Sequence, residues 1–146
     1  MPEVRVLSQK EYGLWDEFVD KSMQGTIFCK SQWLSLYDRP FKILGYFKGY
    51  NLIGGICGFE YAGNIFDSGC RVPLTPFQGI LMMPMPEAKS QAVESMCNEV
   101  TTNLIENLQY EHIGVGNHYS LPDIRPFTWH KYEHIIRYTY LMESAT

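Results

Sequence analysis

The chain has no long apolar run, no surplus of basic charge and no paired cysteine motif, and each absence removes a class of function. No stretch approaches the roughly 18–20 apolar residues that a membrane helix requires. The longest candidates are Leu52–Phe59, broken by Gly54, Gly55 and Gly58, and Gly79–Met85, broken by Pro84. The opening Met1-Pro2-Glu3-Val4-Arg5 lacks a basic stretch leading into an apolar one, and Asn-x-Ser/Thr is absent throughout. These features set the expectation of a cytoplasmic protein with no membrane segment. Twelve Lys and Arg face sixteen Asp and Glu, the net charge is −4, and the cations are scattered. Phosphate neutralisation needs clustered cations, so direct nucleic-acid binding by this chain is not expected.

The four cysteines, Cys29, Cys57, Cys70 and Cys97, never form a Cys-x-x-Cys pair. Three of them follow apolar neighbours (Phe28, Ile56 and Met96), the setting of a buried reduced thiol. His130 and His134 could share a helix face, but no third ligand stands at a typical spacing, so no metal site is expected.

What is present describes one ordinary domain. The chain has 146 residues, 45% of them hydrophobic and 19% charged. A chain of this length buries roughly 68–70% of the surface that its unfolded form exposes. Val4–Leu7 is β-prone, and Ser8 with Glu11 has the pattern of a capping box. Tyr12, Trp15, Phe18 and Val19 then form a helical stripe, Thr26–Cys29 reads as extended, and Ser31 caps a second, shorter helix that Pro40 stops. Phe41–Phe47 and Leu52–Tyr61 are two β-rich runs joined by Lys48-Gly49-Tyr50-Asn51, a hairpin signal.

Ile65–Val72 and Gly79–Met83 read as further strands, separated by Pro73-Leu74-Thr75-Pro76-Phe77-Gln78. From Glu87 to about Tyr110, apolar residues recur every fourth position at Ala92, Met96, Val100, Leu104 and Leu108, which predicts the longest helix. His112–Gly116 reads as a buried strand, 119–129 as a polar connection, and Ile135–Met142 as a final strand. A meander of strands, a long helix and a further strand predict an α/β (α+β) domain. Its sheet is mixed, mostly antiparallel and covered by helices on both faces.

Several motifs fail as chemistry. Gly54-Gly55-Ile56-Cys57-Gly58 lies within a strand, with no strand-to-helix turn and no Lys-Ser/Thr after it, so it is a bulge signal rather than a phosphate loop. No spacing places a serine or cysteine beside a histidine as nucleophile and base. His112 reads as structural, and His118, just past the strand, is the better site candidate. Phe77, Tyr119, Phe127, Trp129 and Tyr132 are aromatic rings in segments read as loops, where they either pin the loop or line a pocket. Arg125 stands between Ile124 and Pro126, so its backbone tends to be extended. It either pairs with Asp123 or Glu133 or presents a planar fork to an anionic ligand group.

The order of elements resembles the GNAT (acyl-CoA N-acyltransferase) fold. More specifically, it is similar to the first of the two GNAT-like halves of FemAB-like peptidoglycan-bridge aminoacyltransferases. The segments that carry the likeness are Trp15-Asp16-Glu17-Phe18-Val19, Ser31-Gln32-Trp33-Leu34, the hairpin through Gly45–Gly54, and Pro73-Leu74-Thr75-Pro76-Phe77-Gln78-Gly79. Leu121-Pro122-Asp123-Ile124-Arg125-Pro126-Phe127-x-Trp129-x-x-Tyr132 and Arg137-Tyr138-Thr139-Tyr140-Leu141 complete the set, the last looking like the strand that leads into the second half. The resemblance implies one GNAT-like domain over 1–146 and a second GNAT-like half as partner. It further implies transfer of an acyl or aminoacyl group to an amine on a small-molecule or cell-wall precursor, with little activity by this chain alone.

The implied acceptor groove would use Thr75 and Gln78 as hydrogen-bonding groups and Phe77 and Trp129 as walls, with Arg125 holding an acidic group and Asp123 and Tyr132 beside it. The resemblance breaks at one place. Acetyl-CoA enzymes of the fold carry a glycine-rich turn before the long helix, and its amides bind pyrophosphate. Here that turn reads Met82-Met83-Pro84-Met85-Pro86-Glu87-Ala88-Lys89, with no glycine and two residues that lack an N–H. No acetyl-CoA cofactor is therefore expected. The alternative is a non-catalytic binding domain that retains the fold and pairs two copies through an exposed docking face. A complete one-domain CoA-dependent N-acetyltransferase ranks last.

Overall fold

A computed structural model describes residues 2–139 and 141. Six strands form one sheet: β1 (Pro2–Val6), β2 (Phe41–Lys48), β3 (Asn51–Tyr61), β4 (Ile65–Ser68), β5 (Gly79–Met82) and β6 (His112–Val115). The helices are α1 (Tyr12–Lys21), α2 (Ser31–Ser35), α3 (Ser90–Glu106) and α4 (Arg125–Trp129). The strand order is β1-β2-β3-β4-β6, with β5 also paired to β3. Every pairing between these strands is antiparallel except that of β4 with β6. The expected mixed, mostly antiparallel sheet with helices on both faces is what the chain forms.

Alternation along the strands assigns the two faces. Ile43, Phe47, Cys57, Phe59 and Leu81 pack under Trp15, Phe18, Val19 and Leu34 of α1 and α2. Leu44, Tyr46, Ile56, Phe66, Ile80 and Met82 pack under Val100, Leu104 and Ile105 of α3 and Phe127 of α4. Each fully buried aliphatic or aromatic side chain contributes about 1.5–3 kcal/mol. The glycines of β3 admit this close packing: a Cβ on Gly54 would lie 2.3 Å from Val100, and one on Gly55 would lie 2.3 Å from the Trp15 ring. Tyr46 donates to Glu99 Oε2 at 2.9 Å, which fastens α3 to β2. Burial, helped by that carboxylate, pushes the Tyr46 phenol up to about 12.

Several expected boundaries move. Gln9–Glu11 forms a 3-10 turn before α1, with the Ser8 amide donating to Glu11 Oε1 at 3.1 Å. Thr26–Cys29 is not extended, because Ile27–Cys29 forms a second 3-10 turn. Ser31 does not cap α2 but begins it. Asp16 of α1 accepts from both the Ser31 amide (2.8 Å) and its hydroxyl (2.6 Å), so one helix caps the other. β4 stops at Ser68 rather than Val72, and α3 starts at Ser90, past the turn that holds Pro84 and Pro86. The 119–129 connection contains α4, whose first turn accommodates Pro126.

Among the described residues the expected final strand, Ile135–Met142, does not form. Residues 132–139 have no regular structure, and Tyr140 and Met142 lie outside the described residues. Cys29, Cys57 and Cys97 are buried free thiols, as expected, and Cys70 is exposed. Among the described residues, no helix is long and apolar enough to cross a membrane.

One feature positions the site. β4 and β5 occupy the same edge of β3, with Asp67 opposite Phe59 and Gly79 opposite Cys57. They are two pieces of one interrupted strand, and the residues between, 69–78, leave the sheet and return. Gly69 (φ +91°) and Gly79 (φ +75°) bracket the excursion in a conformation that side chains rarely adopt. Asp67 Oδ2 accepts from the amides of Cys70 and Arg71. Ser68 Oγ donates to Cys57 O and accepts from the Gly79 amide at 2.9 Å, closing the base of the loop.

Candidate functional site

The interruption opens the sheet. β6 runs parallel to β4, and just past its end Asn117 bridges to Gln78 on the returning chain. Beyond it, β5 continues against β3 while the other chain departs. Leu81 lies opposite Gly55, and the Met83 amide donates to Ile53 O at 2.8 Å, so the odd-numbered residues bond inward to β3. Ile80 and Met82 therefore turn their N–H groups to the open side.

Neither group is free. The Ile80 amide donates to Asn117 Oδ1 at 3.0 Å, and the Met82 amide donates to Gln24 Oε1 at 3.2 Å. A carboxamide oxygen is the chemical equivalent of a peptide carbonyl. Two side chains from separate segments thus occupy the places that a neighbouring strand would fill. Gln24 is buried, and its Oε1 also accepts from Ser22 Oγ at 3.3 Å.

Around this closed edge lies a small polar and aromatic cluster. The Ser120 amide donates to His118 Nδ1 at 3.2 Å, and Ser120 Oγ stands 2.8 Å from the same nitrogen. Accepting at Nδ1 leaves the ring proton on Nε2. Burial lowers the His118 pKa below its ordinary 6.5, so the ring is neutral at neutral pH. Ser120 Oγ also lies 3.1 Å from Met23 O, tying the cluster to the α1–α2 segment. The Phe77 ring meets His118 edge-on at 5.5 Å and Tyr119 at 6.5 Å. The arrangement offers the His118 Nε2–H donor between aromatic walls, which suits holding a small polar group.

The residues expected to line one acceptor groove fall into two separate sets. Thr75 is buried: its Oγ1 accepts from Trp33 Nε1 at 3.0 Å, lies 3.2 Å from Tyr37 OH and donates to Pro73 O. Gln78 is fully buried and donates to Phe28 O at 2.8 Å, while its Oε1 has no partner among the described residues. Of this first set only Phe77 reaches the cluster. The second set packs with α3 and α4. Arg125 Nε donates to both oxygens of Asp123, at 3.0 and 2.8 Å, and a terminal nitrogen lies 2.6 Å from Oδ2. Those hydrogen bonds hold the Asp123 carboxyl below its ordinary range. Trp129 is 60% exposed, with the Arg125 guanidinium 5.9 Å from its ring centre. Tyr132 is half-buried against Phe127, and burial raises its phenol pKa. Among the described residues no hydrogen bond, ion pair or ring contact joins the two sets.

His130 and His134 do not share a helix, because α4 ends at Trp129. His130 contacts Glu106 and Pro126 O, and His134 contacts Thr128. No group of three or more metal-ligating side chains occurs among the described residues. The segment before α3 carries Lys89 at the N-cap, and no side chain caps the helix. Gln24, Asn117 and Ser120 were not legible in the sequence, since a single polar residue in a loop has no spacing that marks it.

The architecture is that of a GNAT-like domain. No protein-family model matches the sequence, and no curated protein matches it. Among solved structures, the chain is similar to ribosomal-protein-alanine N-acetyltransferase from Brucella melitensis biovar Abortus 2308. The TM-score is 0.51 at 13% identity, covering 99% of this chain and 99% of that one. It also aligns with a possible acetyltransferase from Clostridium difficile 630, with a TM-score of 0.48 at 13% identity over 100% of this chain and 99% of that one. At such identity the first likeness shows the fold.

Proposed function

We propose that this chain is the acceptor-binding half of a FemAB-like acyl or aminoacyl transferase, completed by a second GNAT-like unit and nearly inactive without it. One observation carries the reading: the outward amides of β5, at the point where the sheet opens, are already bonded to Asn117 and Gln24. An extended, amide-bearing donor arm adds to a sheet edge through such amides. A diphosphate binds through free N–H groups at a helix N-terminus, and the turn that leads into α3 has Pro84 and Pro86 and no glycine ahead of the Lys89 N-cap. The sheet-edge contact that a nucleotide thioester needs is thus already taken, and on this reading no acetyl-CoA cofactor belongs to this half.

The acceptor would be an amine-bearing small molecule or cell-wall precursor, held near Phe77, His118 and Tyr119. In this role Thr75 and Gln78 brace the Phe77 main chain from inside. Asp123 orients Arg125 beside Trp129 and Tyr132 as a second, separate contact. The work done is positioning of an amine against a carbonyl activated elsewhere.

Nuclear magnetic resonance of the labelled chain tests this directly. An amine-bearing peptidoglycan stem peptide is expected to shift the resonances of Phe77, His118 and Tyr119 saturably, and acetyl-CoA is expected to leave them in place. Acetyl transfer to any amine by the chain alone would overturn the proposal. A non-catalytic interaction domain is the second reading, favoured by the exposed apolar side chains of Ile135, Ile136, Tyr138 and Leu141.

A further inference from the structure

The two outer edges of the sheet are built differently. β1 is edged with Pro2, Glu3 and Arg5, residues that discourage a further strand. Arg5 is held by Glu11 at 2.6 Å and lies over the Phe47 ring at 4.2 Å. β6, at the other end, reads His112-Ile113-Gly114-Val115, with no proline, lysine, arginine or carboxylate. Its pairing is with β4 alone, and its outer side has no backbone partner among the described residues.

Beside this edge runs a segment with the opposite deficit. Tyr132 is pinned, its amide donating to Phe127 O at 2.9 Å. Past it, residues 133–139 make no backbone–backbone hydrogen bond among the described residues. Ile135, Ile136 and Tyr138 are 83%, 76% and 92% exposed. β-branched and aromatic residues in this density favour a strand, and solvent exposure on this scale marks an interaction surface. The segment lies near β6: Arg137 shares a hollow with Cys70, and the Cys70 thiol lies 3.4 Å from where a Gly114 Cβ would sit.

Among the described residues, one chain thus holds an unpaired edge and an unpaired β-prone segment, adjacent but not joined. We propose that residues 134–139 of each chain add as a strand to the outer edge of β6 in a second copy, giving a symmetric strand-exchanged dimer. Exchange is reciprocal, so a two-fold axis satisfies both deficits on both copies at once and leaves no open end. Two six-residue strands laid on two edges, with their apolar side chains covered, bury on the order of 1,500 Å², the size of a stable interface. The inference concerns the edge and the segment alone and does not depend on acyl transfer.

Light scattering on the whole chain under reducing conditions, combined with hydrogen exchange, tests it. The expected mass is twice the 16.9 kDa of one chain, with slow exchange at 112–115 and 135–139. Ile136→Asp with Tyr138→Asp changes exposed side chains only, so the melting temperature of the monomer should hold. The mass should halve, and protection at β6 should disappear. A wild-type monomer overturns the proposal. So does a monomer with protected 135–139, which places the segment on its own β6. A dimer indifferent to the double substitution overturns it as well.

Discussion

The Pro-rich connection 73–79 and the late loop 121–132 look alike in sequence, each mixing proline, aromatic rings and hydrogen-bonding side chains, yet they do opposite things. In the first, polar groups are turned inward. Thr75 gathers Trp33 and Tyr37, and Gln78 reaches Phe28 through the interior. In the second, Arg125 is turned outward, and it pairs with an Asp123 carboxyl that is itself largely covered. A buried polar group must find its partner within the fold, whereas an exposed one can exchange its partner for water or a ligand. Of the two segments, only the late loop has a charged pair that a ligand could reach without unfolding the chain.

The contrast can be broken by substitution. Removing both carboxamides that close β5, with Gln24→Ala and Asn117→Ala, strands two backbone donors. At about 1–3 kcal/mol for each unmet buried group, this is the largest loss, read by urea denaturation. Gln78→Ala leaves Phe28 O without its donor and should cost about 2 kcal/mol. Thr75→Val keeps the shape but takes the acceptor from Trp33 Nε1, and about 1–2 kcal/mol should be lost, with a shift in tryptophan fluorescence. Arg125→Ala lies at the other extreme. Its guanidinium is exposed and the residue-125 amide still donates to Asp123, so the denaturation midpoint should fall only slightly; a loss as large as that of Gln78→Ala would erase the distinction between the segments.

Acidity sharpens the same comparison. His118 has a lowered pKa because burial disfavours its charged form. Its contribution is therefore full above the ordinary value of 6.5 and is lost as pH falls through that value toward the folded-state pKa. Asp123 is also lowered, by its hydrogen bonds to Arg125. Its contribution is present above the ordinary aspartate range and fades only in stronger acid. Mild acidification should therefore weaken wild type relative to His118→Gln, while Asp123→Asn should differ from wild type in pH dependence only at lower pH. Chemical denaturation across the pH range would read both.

Much of the fold was legible because its signals are local and repeated. The hairpin showed in Gly49 and Asn51 between two apolar runs, and α3 in the four-residue recurrence from Ala92 to Leu108. Residues 135–139 misled because β-branched and aromatic composition reports that a strand is favourable, not that a partner edge is within reach. The fourth strand is shorter than its sequence suggests because, although Cys70-Arg71-Val72 is β-prone, the positive φ of Gly69 has already turned the chain. The site was less legible still. Phe77 and His118 could be singled out as an aromatic and a histidine in loops. The closing of β5 depends on Gln24 and Asn117 meeting from distant parts of the chain, and no pattern in either neighbourhood announces that meeting.

Isothermal titration of the chain with acetyl-CoA tests the closure of the β5 edge most directly. No saturable heat is predicted for wild type. Saturable micromolar binding, with Ile80 and Met82 amides shifting as Asn117 and Gln24 let go, would contradict it.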